Sequence, residues 1–286
     1  MARRAASLLL LAGLAACGSN AAAPPVAPPN NPQRIVSLNP CTDAILTQLV
    51  PARRIAAISD YSRDPQASSM DVAMARRFAS VGGTAEEVIA LHPDLVVTGG
   101  HLAPATRNAL DRQGIAVQVF GVPATIAESR RQIADMAAAL DAPERGARLL
   151  ARIDAALAAA RSDAHIPALV WMGDGLVPGQ GTLVGDMLEQ SGFINASASY
   201  GLASWDILPS EYVVAKPPRV VFMDRRGVTA AAGSREDGAR RRRIAALRAS
   251  GQAVAIADFP QNLLYCGGPT LIPLARRLAR AREMAE

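Results

Sequence analysis

Two kinds of pattern alternate along this chain. Short continuous apolar runs, RIVSL from Arg34, DLVVT from Asp94, PALVWM from Pro167 and AVAIA from Ala253, are bounded by Gly, Pro and Asn. Between them lie stretches in which apolar residues recur every three or four positions. The first kind reads as strands buried on both faces, the second as amphipathic helices. The clearest helical stretch is central. Ile126, Ile133, Met136 and Leu140 form one apolar stripe, opened by Thr125 and Glu128 at capping-box spacing. Asp141-Ala142-Pro143 interrupts it, and Pro143 suits the first turn of a second helix, with Leu149, Leu150, Ile153 and Leu157 on one face. From 143 to about 162 that helix would be about 30 Å long. It is either a strut between two halves or an ordinary surface helix.

Both flanks of this segment follow the same plan. On the N-terminal side, strands are expected at 34–38, 54–58, 94–98 and 115–120, with helices after Asn39-Pro40 (capped by Cys41 or Thr42), after Thr84 and at 104–113. On the C-terminal side, strands are expected at 167–172, 219–223 and 253–257, with helices at 182–190, 210–215 and 240–249 and a last one from about Pro269. Alternating strands and helices imply parallel βα units covered by helices on both faces. The glycine-rich stretch Gly173–Gly181 lacks the Lys-Ser/Thr ending of a phosphate loop, so no nucleotide site is expected there. A weak echo links the halves. Glu86 and Glu211 each open a helix, and each precedes by seven residues a proline followed by a strand. An acidic residue at a helix start gains about 0.3–1 kcal/mol from the macrodipole, which alone could account for both.

Composition narrows the address. The chain has 286 residues, half of them hydrophobic, enough for one large or two ordinary domains. Formal net charge is +5, carried almost wholly by arginine, with Lys216 the only lysine. The densest basic run, Arg240–Arg243, has no interleaved aromatics, so no nucleic-acid partner is expected. At the N-terminus Arg3 and Arg4 precede a short apolar run, Leu8–Leu14, and then Leu14-Ala15-Ala16-Cys17, the pattern of a bacterial lipobox. Residues 1–17 are expected to be a signal peptide ending in a lipidated Cys17, and the Pro/Ala-rich 18–33 a flexible tether. No other segment is long and apolar enough to span a bilayer. Cys41 and Cys266 then remain, and in an oxidising compartment they either pair or are buried. A bridge between them would close a very long loop, worth about 5 kcal/mol. Three scattered histidines do not make a metal site, so neither a metal centre nor a cofactor is expected. No Gly-x-Ser-x-Gly elbow or Cys-His-Asn order supports catalysis.

Several pieces together resemble a known family. They are the lipobox, RIVSLNPCTDAIL (34–46), EEVIALHPDLVV (86–97), the two central helices, GTLVGDMLEQSGFINA (181–196), ILPSEYVVAKPPRVVF (207–222) and CGGPTLIPLARRLA (266–279). Their order and spacing are similar to those of the substrate-binding lipoproteins of ABC importers for cobalamin and ferric siderophores. The resemblance implies two α/β lobes (34–142 and 165–286), each a parallel sheet flanked by helices, joined by one long helix (143–164). It implies a non-catalytic, extracytoplasmic, lipid-anchored monomer that captures a bulky organometallic ligand between the lobes and delivers it to a permease dimer. By motif position, Glu86 and Glu211 would dock on the permease. Ligands sit beyond the carboxyl ends of parallel strands. The cleft loops would thus offer Asn39, Cys41, Tyr61, Arg63, His101, Trp171, Gln180, Tyr200, Trp205, Arg225 and Tyr265. Trp171, Trp205, Tyr61 and Tyr200 stand as stacking candidates, Arg63 and Arg225 as anion contacts, and His101 as a metal contact. Asn39-Pro40-Cys41 departs from the Ser-Pro of many such binders. A Cys41–Cys266 disulfide would staple the lobes; otherwise the two thiols face the ligand or are simply buried. The rival functions are a thiol-dependent or hydrolytic envelope enzyme using Cys41 and Cys266, and an envelope scaffold of the same fold.

Overall fold

The computed structural model describes residues 26–172, 175–224, 235–249 and 251–286; the expected lipid-bearing Cys17, most of the tether, and Arg225 lie outside them. The N-terminal lobe runs β1 (Ile35–Ser37), α1 (Pro40–Leu49), β2 (Ile55–Ser59), α2 (Val72–Ala75), β3 (Ser80–Val81), α3 (Ala85–Ala90), β4 (Leu95–Thr98), α4 (Pro104–Arg112) and β5 (Ala116–Val119). Its strands lie in the order β3-β2-β1-β4-β5, and every pairing is parallel. Two helices follow, α5 (Ile126–Ala139) and α6 (Pro143–Ala160).

The C-terminal lobe runs β6 (Ile166–Val170), β7 (Leu176–Val177), α7 (Leu183–Gln190), β8 (Phe193–Asn195), β9 (Asp206–Ile207), α8 (Ser210–Ala215), β10 (Val220–Met223), α9 (Arg235–Ala249), β11 (Ala255–Asp258) and α10 (Leu271–Glu283). Its main sheet, β11-β10-β6-β8, is parallel, and β7 and β9 form a separate antiparallel ribbon. The molecule is thus two α/β lobes joined through α6, which at 18 residues is about 27 Å long.

Strand alternation sends the two faces of each sheet to different cores. In the N-terminal lobe Ile35, Leu95 and Val97 point to one side, and Val36, Val96 and Ala57 to the other, where α3 and α4 supply Val88 and Leu110. In the C-terminal lobe Ala168, Val170, Val220 and Phe222 point one way, and Leu169, Trp171, Val221 and Met223 the other. The inward faces of both lobes do not have separate cores. They join one continuous apolar cluster with Ile45 and Leu49 of α1, Ile133 and Met136 of α5, Leu149 and Ile153 of α6, and Leu274 and Leu278 of α10. Close helix packing is part of this: a Cβ on Gly146 of α6 would stand 2.5 Å from the Ala137 Cβ of α5.

Several boundaries differ from expectation for local reasons. Asn39, rather than Cys41 or Thr42, caps α1; its side chain accepts from the Cys41 amide at 2.9 Å, with Pro40 in the first turn. The Thr125 cap is only half a capping box: Thr125 accepts from the Glu128 amide, but Glu128 reaches back to the Ala124 amide instead. The α5–α6 corner carries Asp141 at φ 51, and the buried Arg54 donates to the Leu140 carbonyl at 2.8 Å and to Pro32 at 2.7 Å. That arginine closes the exposed end of α5, a role its sequence position did not announce. The linking helix ends at Ala160 because Arg161 is already extended. Helix α9 starts five residues earlier than the expected Arg240, at Arg235. Short elements such as α2, β3 and β8 and the β7–β9 ribbon carry too few residues to show a period.

Candidate functional site

Loops from both lobes enclose a cavity of about 540 Å³. The N-terminal lobe contributes Val122, Pro123 and Ala124, which leave the carboxyl end of β5. The C-terminal lobe contributes Leu176, the start of α7 (Gly181 to Leu183), Trp205, Leu264 and Tyr265. None of these lining residues is charged. Trp205 and Tyr265 form one wall, their rings stacked with centroids 6.1 Å apart and planes at 28°. Both stay partly open to solvent, at 38% and 45% exposed, and Val122 on the opposite rim is 68% exposed. Exposed aromatic and aliphatic surface around one concavity is a mark of a binding site.

The glycine-rich stretch explains how Trp205 is held. The Gly179 amide donates to Ser204 O and the Gly181 amide to Ala203 O, both at 3.0 Å. A Cβ at Gly179 would sit 2.5 Å from the Ser204 backbone, so only glycine lets the two segments meet. Thr182 then caps α7, accepting from Gly185 N at 3.1 Å and donating to Gly179 O at 2.7 Å. Across the lobe boundary, the Ile126 amide at the start of α5 donates to the Asp186 carboxylate of α7 at 2.6 Å. A carboxylate at a helix N-terminus is favoured, and this one ties the two walls of the cleft together.

Cys41 and Cys266 are joined by a disulfide, with Cα atoms 5.2 Å apart and a sequence separation of 225. It links the first turn of α1 to the segment that carries Leu264 and Tyr265. Beneath the N-terminal rim lies a fully buried acid, Asp43. Its Oδ2 accepts from the Ser59 amide (3.0 Å) and the Ser62 hydroxyl (2.6 Å), bracketing the turn Asp60–Arg63. Burial pushes its carboxyl up from the usual 3.8 to about 7, against the opposing pull of those hydrogen bonds.

Among the described residues, Trp205 and Tyr265 are the only ones expected at the site that line the cavity. Trp171 does not: it is 1% exposed, because alternation along β6 sends it with Leu169 to the outer face. There its indole donates to Leu208 O at 3.3 Å and the Arg243 guanidinium lies 4.8 Å over the ring. Tyr200 packs against that same outer core, and its hydroxyl donates to Lys216 O at 2.6 Å. Asn39 is occupied as the α1 cap, pressed against Gly99. Arg63 is turned inward and donates to Phe78 O, so it is not a free anion contact. Tyr61, 62% exposed, and the exposed His101 and Gln180 are not among the lining residues. Arg225 lies outside the described residues. The lining residues that the sequence did not single out, Val122 to Ala124, Leu176, Thr182, Leu183 and Leu264, are apolar or small. No motif in the sequence marks them.

Glu86 and Glu211 are both exposed, each in the first turn of its helix, one in α3 and one in α8. Neither carboxylate has an ion pair among the described residues. Among the described residues no group of three or more His, Cys, Asp or Glu could hold a metal ion, and no helix is long and apolar enough to cross a membrane. A larger groove of about 620 Å³ runs between α6 and α10. It is lined by five alanines and Ile272, with Arg152, Arg276 and Arg280.

Solved structures of similar fold cover nearly the whole described chain. The periplasmic heme-binding protein RhuT of Roseiflexus sp. RS-1, in its apo form, is 24% identical, with a TM-score of 0.65 over 89% of this chain and 99% of its own. The periplasmic vitamin B12 binding protein BtuF of Vibrio cholerae is 19% identical, with a TM-score of 0.65 over 90% of this chain and 99% of its own. Ceue of Helicobacter pylori, solved with Ni(II) bound, is 21% identical, with a TM-score of 0.64 over 90% of this chain and 86% of its own. At such identities the likeness concerns the fold. No curated protein matches the chain. The model of the periplasmic binding protein family matches residues 35–248, three quarters of the sequence, and the chain belongs to that family.

Proposed function

We propose that this protein captures a bulky organometallic ligand in the cavity between its lobes and hands it to an ABC importer permease without catalysing a reaction on it. The observation that carries the reading is the inter-lobe cavity walled by the Trp205–Tyr265 stack, whose lining among the described residues carries no charge. Such a surface rewards a flat, largely apolar ligand. Each 100 Å² of apolar surface removed from water contributes about 2.5 kcal/mol. Stacking on an aromatic face adds about 0.5–1.5 kcal/mol. Within the class of haem, cobalamin and ferric siderophores, the site therefore favours a macrocycle. Related folds in the solved structures include heme-binding and vitamin B12 binding proteins, which supports the same class.

The continuous core restricts how capture works. Wide opening of the lobes would pull α1, α5, α6 and α10 off a single apolar cluster. Ligand entry therefore relies on small movements of the N-terminal rim at Val122 and of the β7–β9 ribbon. Exposed Glu86 and Glu211, one per lobe, are the proposed permease contacts; ion pairs at such rims set orientation and encounter rate more than affinity. Lipidation at Cys17 would hold the protein at a membrane. A thiol-based activity finds less support, since both Cys41 and Cys266 are consumed by the disulfide.

The test is an absorbance titration of the purified protein with hemin, cobalamin, cobinamide and several ferric siderophores. The reading expects saturable one-to-one binding of one macrocycle at micromolar or tighter, unaffected by Glu86→Ala and Glu211→Ala, while uptake through the permease is lost in that double variant. A folded protein that binds none of the panel would refute the ligand class.

A further inference from the structure

We propose that the Cys41–Cys266 disulfide is a positioning device for the ligand cavity: it holds Tyr265, and with it the Trp205–Tyr265 wall, against the N-terminal lobe, so that the wall loosens when the bond is broken. The identity of the site rests on the proposed function above; the existence of the wall does not.

Two side-chain contacts restrain Tyr265 besides its neighbour's disulfide. Its ring stacks on Trp205, and its hydroxyl accepts from Gln261 Nε2 at 3.5 Å. Neither is an anchor in the N-terminal lobe. The adjacent residue, Cys266, is bonded directly to Cys41 in the first turn of α1, whose Ile45, Leu46 and Leu49 are rooted in the shared core. Beyond Cys266 the chain is tight: the Gly268 amide donates to Ser129 Oγ of α5 at 2.7 Å, and a Cβ on Gly267 would stand 2.4 Å from that oxygen. On the other side Leu263 and Leu264 are buried. Tyr265 is therefore the partly exposed residue of a segment fixed on both flanks, and the disulfide is the fixing point next to it. Cys266 is buried, but Cys41 is half-buried, so a small reductant can reach the bond from that side. A dithiol would transfer two electrons and two protons to the sulfurs, leaving two thiols and closing its own disulfide. The thiols then part to ordinary contact distance, and the Tyr265 segment gains freedom that ligand binding must again remove.

The experiment reads the wall without any ligand. Acrylamide quenching of tryptophan fluorescence is measured on the full chain. Trp171, 1% exposed, is shielded, so the signal reports Trp205, which is 38% exposed. Breaking the bond, by Cys41→Ser with Cys266→Ser or by dithiothreitol on the wild type, is expected to raise the quenching constant about twofold as stacking loosens. In a Tyr265→Ala background, breaking the bond is expected to add nothing; a disulfide that merely stabilises the fold would act equally in both backgrounds. Hemin or cobalamin, whichever binds the oxidised protein, is expected to bind about tenfold more weakly after reduction. Unchanged quenching with the bond broken, in protein that still melts cooperatively, would overturn the proposal. Should the double variant fail to fold, the reduced wild type gives the same readout. Increased quenching with neither probe binding in either state would support the positioning role and remove the ligand reading instead.

Discussion

Asp43 offers a quantitative test of the packing under the cleft. It is fully buried on α1, and its carboxyl is pushed from 3.8 to about 7 by desolvation. The native state therefore holds a proton at Asp43 over a range where the unfolded chain has lost it. Stability falls as pH rises wherever the native state binds more protons. The loss begins near pH 4, grows by about 1.4 kcal/mol per pH unit, and levels off near pH 7, a total on the order of 4 kcal/mol. Asp43→Asn removes the charge while its amide oxygen still accepts from the Ser59 amide and the Ser62 hydroxyl. Guanidinium unfolding of both proteins at pH 4.5, 5.5, 6.5 and 7.5 isolates this one group, since every other titration is common to both. The gain from Asp43→Asn should be small at pH 4.5 and approach about 4 kcal/mol at pH 7.5. Parallel stability curves would refute the reasoning and mean that Asp43 is solvated or paired in the native state.

Three further outcomes follow from the geometry. Reducing the disulfide, which closes a 225-residue span, should cost about 5 kcal/mol in the chain-entropy treatment; guanidinium midpoints with and without reductant measure it. The two tryptophans should separate cleanly: Trp171→Ala loses about 3–5 kcal/mol of stability through its cavity, whereas Trp205→Ala leaves the melting temperature nearly unchanged and weakens ligand binding. Gly146→Ala, which brings a Cβ within 2.5 Å of Ala137 Cβ, should destabilise by about 1–2 kcal/mol even though alanine is the better helix former by about 1 kcal/mol; thermal melts decide the sign.

The order of strands and helices could be read from the sequence because parallel strands buried on both faces give continuous apolar runs, such as Leu95 to Val97. The hinge of the whole plan, α5 and α6, carried its own punctuation in Thr125 and Pro143. What was hidden depended on which face a residue takes. Trp171 follows a strand that reads the same from either side, and only the register of β6 beside β10 sends it to the outer core. Arg63 and Tyr200 look like cleft residues by position, yet each donates to a backbone carbonyl, one Arg63 nitrogen to Phe78 O and the Tyr200 hydroxyl to Lys216 O. The cavity itself is built from small and apolar residues of distant loops. Val122, Leu176 and Leu264 carry no chemical signature until folding brings them together. The glycines at 179 and 181 did signal something, but it was a close approach to the Trp205 segment and not a phosphate.

The central claim is that the ligand lies against Trp205 and Tyr265. Tryptophan fluorescence during a titration with hemin and cobalamin tests it most directly, comparing wild type with Trp205→Phe. The account predicts saturable quenching in the wild type that is largely lost in Trp205→Phe, since the buried Trp171 that remains lies on the far face of its sheet. Equal saturable quenching in both proteins would put the ligand elsewhere, and no quenching in either would contradict the binding reading itself.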